Sequence, residues 1–314
     1  MSDRIVVIAG PTASGKTALS VALAKALHGE VISADSMQVY RGMDVGTAKV
    51  RPEEMDGVPH HMLDVAEPWE AFSAARYVEL ADPILQDILS RGKTAIVAGG
   101  TGLYVDALIQ GRTFAPYPET GKREALMAEA EAAGMETMLE RLRSIDPDSA
   151  ARLCPADKKR ILRALEVYEE TGKTITQHNW ETQQLPDKYA PVWLGLDFIQ
   201  REDLYRRIDL RVERMLEQGL LEEIQGLLAG GVPRTCTAMQ AIGYKEFFSV
   251  LDGAEDLSAA IETVQRESRR YAKRQLTWFR RNPRIHWIYQ QANPDFSQIF
   301  QEALGQIPFF DGGM

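Results

Sequence analysis

The chain has 314 residues, 36 Lys and Arg against 45 Asp and Glu, a formal net charge of -9 and a hydrophobic fraction of 45%. That fraction is ample for a buried core and excludes disordered and fibrous classes, while two cysteines, Cys154 and Cys236, supply neither a disulfide framework nor a cysteine-rich zinc site. The acidic total taken alone argues against nucleic acid as a partner, and with no signal-peptide start and no apolar run of about 18 residues the chain reads as cytoplasmic and not membrane-bound.

In chain order, Ile5, Val6, Val7, Ile8 and Ala9 form a short β-rich apolar run that reads as a buried strand. Residues 16–28 place Leu19, Ala22, Leu23, Ala26 and Leu27 at helical spacing, and residues 30–35 form a second short strand, which completes a βαβ unit. The pattern returns as a helix over 72–90 and a strand at 94–100, with further strands at 192–196 and 285–289. These elements predict an α/β core with a mostly parallel sheet flanked by helices, formed by residues 1–115 and 190–314. Between Pro116 and Pro118 at the entrance and Pro186 and Pro191 at the exit, the charged sequence shows helical periodicity over 123–143 and 160–171 and no strand pattern. Residues 116–189 therefore read as a small all-helical insertion domain.

Gly10, Pro11, Thr12, Ala13, Ser14, Gly15, Lys16 and Thr17 match Gly-x-x-x-x-Gly-Lys-Thr after a strand and at the start of a helix. The glycines let successive backbone amides curl around phosphate, and the helix dipole adds positive potential. Lys16 supplies a charge, and Thr17 a hydroxyl for a magnesium ion shared with the phosphate oxygens. The expected core is thus P-loop NTPase-like, with a diphosphate or triphosphate site. Asp35 ends the second strand on the rim where open α/β sheets bind ligands, and it suits either water-mediated magnesium binding or general-base chemistry. Thr101, in Gly99-Gly100-Thr101-Gly102, follows another strand and offers a hydroxyl to the same rim; the run lacks the third glycine of a dinucleotide fingerprint. His60 and His61 are adjacent, point to opposite faces of an extended segment and have no third ligand in view, so no metal site is expected there; the other histidines are isolated and read as structural.

Residues 265–284 hold eight basic side chains and one acid, a local +7 that leaves -16 for the remainder. On a helix, Arg266, Arg270, Lys273, Arg274, Thr277 and Arg281 share one face, opposite an apolar stripe of Ile261, Val264, Ala272, Leu276 and Phe279. Like charges four apart repel, so this face expects an anionic partner, and the interleaved Tyr271 and Trp278 suit single-stranded nucleic acid. Arg152, Lys158, Lys159, Arg160 and Arg163 form a second cationic cluster in the insertion.

The loop, Asp35-Ser36-Met37-Gln38-Val39-Tyr40, Gly99 to Tyr104, Ile242-Gly243-Tyr244-Lys245-Glu246 and Lys273-Arg274-Gln275 leading to Thr277-Trp278-Phe279, taken in this order, resemble the bacterial tRNA dimethylallyltransferase family over nearly the whole chain. Eukaryotic members carry a zinc-finger extension, which two cysteines do not supply. The resemblance implies a monomer that takes dimethylallyl diphosphate, Mg2+ and the anticodon stem-loop of tRNA. It implies that the loop holds the diphosphate with help from Lys122 or Arg123 and from Arg207 or Arg211, that Asp35 is the base for the adenine amine, and that Thr101 meets the bridging oxygen. The adenine would be flipped into a channel lined by Asp35, Ser36, Met37 and Gln38, with Gln38 reading its edge and Thr101 and Arg123 also touching the tRNA. Lys159, Arg160, Ile161, Leu162 and Arg163 in a clamping insertion are implied to hold the RNA. So are Gln240, Ala241, Ile242, Gly243, Tyr244 and Lys245, and Lys273, Arg274, Gln275, Leu276, Thr277, Trp278, Phe279 and Arg280. A kinase with a helical lid, or an RNA-binding nucleotide switch, would use the same loop. A kinase gives no reason for the +7 stretch, and a switch does not need Asp35 and Thr101 on one rim.

Overall fold

The computed structural model describes residues 3–112, 114, 120–184 and 186–309, so Pro116 and Pro118 lie outside the described residues. The chain divides into two compact units, Met1–Gly111 with Tyr189–Met314, and Arg112–Lys188. In the first, β1 (Ile5–Ala9), α1 (Lys16–Ala26), β2 (Gly29–Ser33), α2 (Pro52–Met55), β3 (His60–His61), α3 (Ala74–Ser90), β4 (Thr94–Ala98) and α4 (Gly102–Gln110) precede the insertion. The insertion contains α5 (Lys122–Ala133), α6 (Met135–Ile145), α7 (Pro147–Ala150), α8 (Lys158–Thr171) and α9 (Ile175–Gln183). The first unit resumes with β5 (Val192–Phe198), α10 (Arg201–Glu217), α11 (Leu220–Ala229), α12 (Phe248–Leu251), α13 (Leu257–Phe279), β6 (His286–Gln290) and α14 (Phe296–Gly305).

The six strands pair in the order β3-β2-β4-β1-β5-β6, and every pair is parallel. Parallel strands need crossovers, and the crossovers cover both faces with helices, which is why these strands are apolar on both sides. Ile5, Val7 and Ala9 of β1 pack with α3 and α4. The alternate residues Val6 and Ile8 pack with α1 and α14. A third cluster joins Val39, Tyr40 and Met43, in the long β2–β3 connection, to α10, α11, α13 and Tyr244. The insertion has its own core around Leu126, Met138, Leu142, Ile161 and Leu165.

Two expectations are corrected. The helix read over 123–143 is two helices, because Gly134 stands between them at φ 83 and ψ 156, outside helical space. The strand read over 30–35 stops at Ser33, so Asp35 stands beyond the sheet edge in a turn.

At the edge of β2, the Glu30 carboxylate is 3% exposed and is held by Arg91, Lys93 (2.7 Å) and His61 (2.8 Å). Hydrogen bonding from Arg91, then from Lys93 and His61, keeps this carboxyl well below the usual carboxylate range despite its burial. Its contribution to stability is therefore complete above the ordinary value of 4.5 and fades as pH falls below it. Glu30→Gln should cost about 2 kcal/mol at neutral pH. In urea titrations the gap from the wild type should narrow steadily between about pH 5 and pH 3, and a gap independent of pH would contradict the assignment.

Candidate active site

Strands β1, β2 and β4 lie side by side and deliver the phosphate loop, Asp35 and Thr101 to one rim. Gly10 has φ 147, and a Cβ there would stand 2.6 Å from the Leu196 carbonyl oxygen, so the chain can leave β1 for the loop only through glycine. Ala13 and Gly15 adopt φ 64 and 91. The Gly15 N-cap of α1 brings no side chain to the first turn. Three long side chains from distant elements support the loop from outside. The Thr12 N–H donates to Gln275 Oε1 (2.9 Å), Gln290 Nε2 donates to the Ser14 carbonyl (2.9 Å), and Arg207 Nε donates to the Ala13 carbonyl (3.1 Å).

Lys16 Nζ donates to the Pro11 carbonyl (2.6 Å). Burial, with Arg211 nearby, lowers its amine to about 7, against the pull of Asp35. Arg211 is lowered by burial and held up by Asp35 and Glu54, and it donates to the Thr47 carbonyl (3.2 Å). Lys16, Arg211 and Asp35 therefore sense one another's charge at one place.

Asp35 Oδ1 accepts from the N–H groups of Met37 (2.8 Å) and Gln38 (3.3 Å), which closes a turn and leaves Oδ2 without a partner among the described residues. Thr101 stands at the N-cap position of α4 and accepts the Ser36 N–H at Oγ1 (2.9 Å), which leaves its own proton to donate to an oxygen, the Tyr271 phenol in this structure. This bond ties the Asp35 turn to the Thr101 turn. The Tyr271 phenol, hydrogen-bonded with Thr101 and Gln275, is pushed up to about 12 by burial and by Asp35, so it remains protonated.

The Gln38 amide is already engaged: its oxygen accepts from Ser33 (3.1 Å), and its nitrogen donates to the carbonyls of Thr47 and Ala48. Reading a base edge would require exchange of these partners. Arg123 belongs to the insertion, where it and Arg163 share the buried Glu166 (3.1 and 2.9 Å). Among the residues expected to hold RNA, Ile161, Leu162, Ala241, Tyr244, Gln275, Leu276 and Phe279 are buried, so their side chains are not part of the exposed surface. The helical period turns them inward while Lys159, Arg160, Lys273, Arg274 and Arg280 remain exposed. Gln240, also exposed, donates to the Arg234 carbonyl, Gly243 turns the chain at φ 92, Ile242 is half-buried and Lys245 is exposed.

Carboxylates divide the cationic face of α13. Arg269 pairs with Asp209, Arg280 with Asp197, and Arg266 and Arg270 with Glu267. Lys273, Arg274, Thr277, Trp278 and Arg281 line an open cavity of about 280 Å³ beside the rim. Arg281 lies 4.2 Å over the Trp278 ring, and Trp278 Nε1 donates to Asp106 (2.8 Å). The Trp278 ring packs where a side chain at Gly102 would stand, which binds α13 to the Thr101 turn. Sequence reading missed Gln275 as a support, although an amide on the stripe of Ala272, Leu276 and Phe279 was a visible signal. Gln290 gave none. Among the described residues no cluster of His, Cys, Asp and Glu could hold a metal, and no helix is long and apolar enough to cross a membrane.

A family model described as IPP transferase matches residues 38–282. The tRNA dimethylallyltransferase of Geobacillus thermodenitrificans is 46% identical over 314 residues, 98% of each chain. The crystal structure of the tRNA isopentenylpyrophosphate transferase of Bacillus halodurans is similar at 44% identity and a TM-score of 0.71, covering 96% of this chain and 94% of that one. A eukaryotic dimethylallyltransferase captured acting on tRNA is similar at 33% identity and a TM-score of 0.81, covering 96% of this chain and 77% of that one.

The Lys16 amine is charged below about pH 7 and discharges above it. Binding of inorganic pyrophosphate, followed by calorimetry, should weaken as pH rises through 7 by up to about tenfold per unit. Lys16→Met should remove that part of the pH dependence; an unaltered profile would exclude Lys16 from the anion site.

Proposed function

The chain belongs to the IPP transferase family, enzymes that prenylate tRNA, and we propose that its rim moves a dimethylallyl group from dimethylallyl diphosphate to the exocyclic amine of the adenosine 3′ of the anticodon. The observation that carries this reading is the Ser36 to Thr101 hydrogen bond, which holds a candidate base and a candidate hydroxyl donor together beside the phosphate loop. The loop amides, Lys16 and Arg211 receive the diphosphate and spread the charge that grows on it as the carbon–oxygen bond breaks. The Thr101 hydroxyl turns from the Tyr271 phenol to donate to the bridging oxygen. The amine nitrogen bonds to the allylic carbon, diphosphate leaves with the electron pair of the broken bond, and Asp35 Oδ2 takes the proton released by nitrogen. Resonance in the allylic group lets this weak nucleophile suffice.

The donors present fit magnesium. Thr17 is exposed at the start of α1, Asp35 is the nearby carboxylate, and Mg2+ commonly keeps waters and phosphate oxygens around one or two protein ligands. Bound there, it would neutralise charge on the diphosphate. The exposed cations of α13 receive RNA phosphates, and Trp278 offers an aromatic surface at the cavity edge. Lys159 and Arg160 on α8 give the insertion its own cationic end for the same polyanion. A small-molecule kinase gives no account of these groups.

Incubation with unmodified tRNA, dimethylallyl diphosphate and Mg2+ should release pyrophosphate and add one five-carbon unit to one adenosine, read by mass spectrometry of digested tRNA. ADP released from ATP without a mass gain on RNA would favour the kinase. Asp35→Asn should keep tRNA binding and lose on the order of 100-fold or more in turnover; full turnover would remove Asp35 from the base role. Lys273→Glu with Arg274→Glu should weaken tRNA binding and reduce its slope against log salt by about two. An unchanged slope would move the RNA surface elsewhere.

A further inference from the structure

Away from the reacting rim, four donors enclose the carboxylate of Glu223, in the first turn of α11. The N–H groups of Asp44 and Val45 reach Oε2 at 2.7 Å each, the N–H of Gly46 reaches Oε1 at 3.0 Å, and the Tyr244 phenol donates to Oε1 at 2.6 Å. Three successive backbone amides aimed at one anion form a nest, and here the chain fills it with its own side chain. Tyr244 is fully buried, and a Cβ at Gly46 would stand 2.5 Å from its ring, so the ring closes on Gly46 while the carboxylate holds all three amides.

The next two carbonyls of this loop serve the reacting rim. Thr47 accepts from Arg211 (3.2 Å) and from Gln38 (3.3 Å), and Ala48 accepts from Gln38 (3.4 Å). Ala48 is held at φ 44, a left-handed conformation that a residue with a side chain keeps only where its surroundings impose it. Arg211 is the cation that senses Lys16 and Asp35, and Gln38 closes the Asp35 turn.

We propose that Glu223 is a positioning residue for the transfer reaction, acting through residues 44–48 to hold Arg211 and Gln38 at the rim; this rests on the function proposed above. By fixing the nest, Glu223 fixes where the Thr47 and Ala48 carbonyls stand, and these set the reach of the guanidinium toward the diphosphate. It touches no reacting atom. A plain loop staple would affect stability alone, whereas a positioning group must be coupled to Arg211.

The test is a double-mutant cycle. In Glu223→Gln, an NH2 replaces one acceptor oxygen against the donors of the nest. On protein shown to be folded by its melting curve, KM for dimethylallyl diphosphate should rise about tenfold. Hydrogen exchange at the amides of 44–46 should accelerate. Arg211→Ala should raise KM in the wild-type background and add little further in Glu223→Gln, since both remove the same positioned contact. Gly46→Ala, which drives a Cβ into the Tyr244 ring with Glu223 intact, should reproduce the effect, and Tyr244→Phe should give about a third of it, because the three backbone donors remain. Wild-type KM in Glu223→Gln despite faster exchange would overturn the proposal, and so would fully multiplicative effects of Glu223→Gln and Arg211→Ala, or unaltered exchange. A wild type that transfers nothing would sink the function itself, an outcome separate from a normal wild type with a normal Glu223→Gln.

Discussion

One buried amide side chain holds the site together. Gln275, 5% exposed on α13, accepts the Thr12 N–H and donates to the Gly100 carbonyl (3.0 Å), so the phosphate loop after β1 and the turn after β4 are fixed to the same helix. A buried amide is costly unless its groups are paired, and here each end serves a backbone group that would otherwise be orphaned. Gly100 is part of the same constraint, since a Cβ there would meet Gln275 Nε2 at 2.0 Å. Gly102 repeats the device one step further on, where Trp278 occupies the side-chain space. The helix with the cationic face is thereby tied to the rim of the sheet at two points one turn apart.

That attachment gives the charge pattern its meaning. A net charge of -9 describes the chain poorly, because residues 265–284 carry +7 while the remainder carries -16. Asp209 and Asp197 from outside that stretch and Glu267 within it pair with basic side chains along the helix and leave Lys273, Arg274 and Arg281 as the cations around the open cavity. Partners respond to local fields over about a Debye length of 8–10 Å, so this pairing narrows a broad basic stripe to a defined patch beside Thr101. Asp35, Lys16 and Arg211 form the matching set on the rim, where low solvent access makes each charge matter to the others.

The order of elements, the phosphate loop, Asp35, Thr101 and the basic helix were legible in the amino-acid order because each has a local physical signature. Buried parallel strands are apolar runs, a phosphate cradle needs glycine at fixed spacing, and an amphipathic helix repeats every 3.6 residues. The same locality explains the errors. Gly134 hides inside an otherwise helical pattern, which is why one helix is expected where two stand; that Ile161, Leu162, Leu276 and Phe279 face inward beside exposed neighbours is fixed by what packs against them in space.

By itself, then, the sequence determined which chemical groups this chain brings together: a glycine-bounded Lys-Thr loop, a carboxylate and a hydroxyl after strand ends, and a cationic face, each written in residues close together along the chain. Tertiary structure decided what holds those groups in register. Gln275 and Gln290 brace the loop from 263 and 276 residues away, and Glu223 seats a loop 177 to 179 residues distant. Hydrogen bonds between groups so far apart leave no periodicity to read, because the spacing along the chain is set by the intervening fold and not by the geometry of the bond.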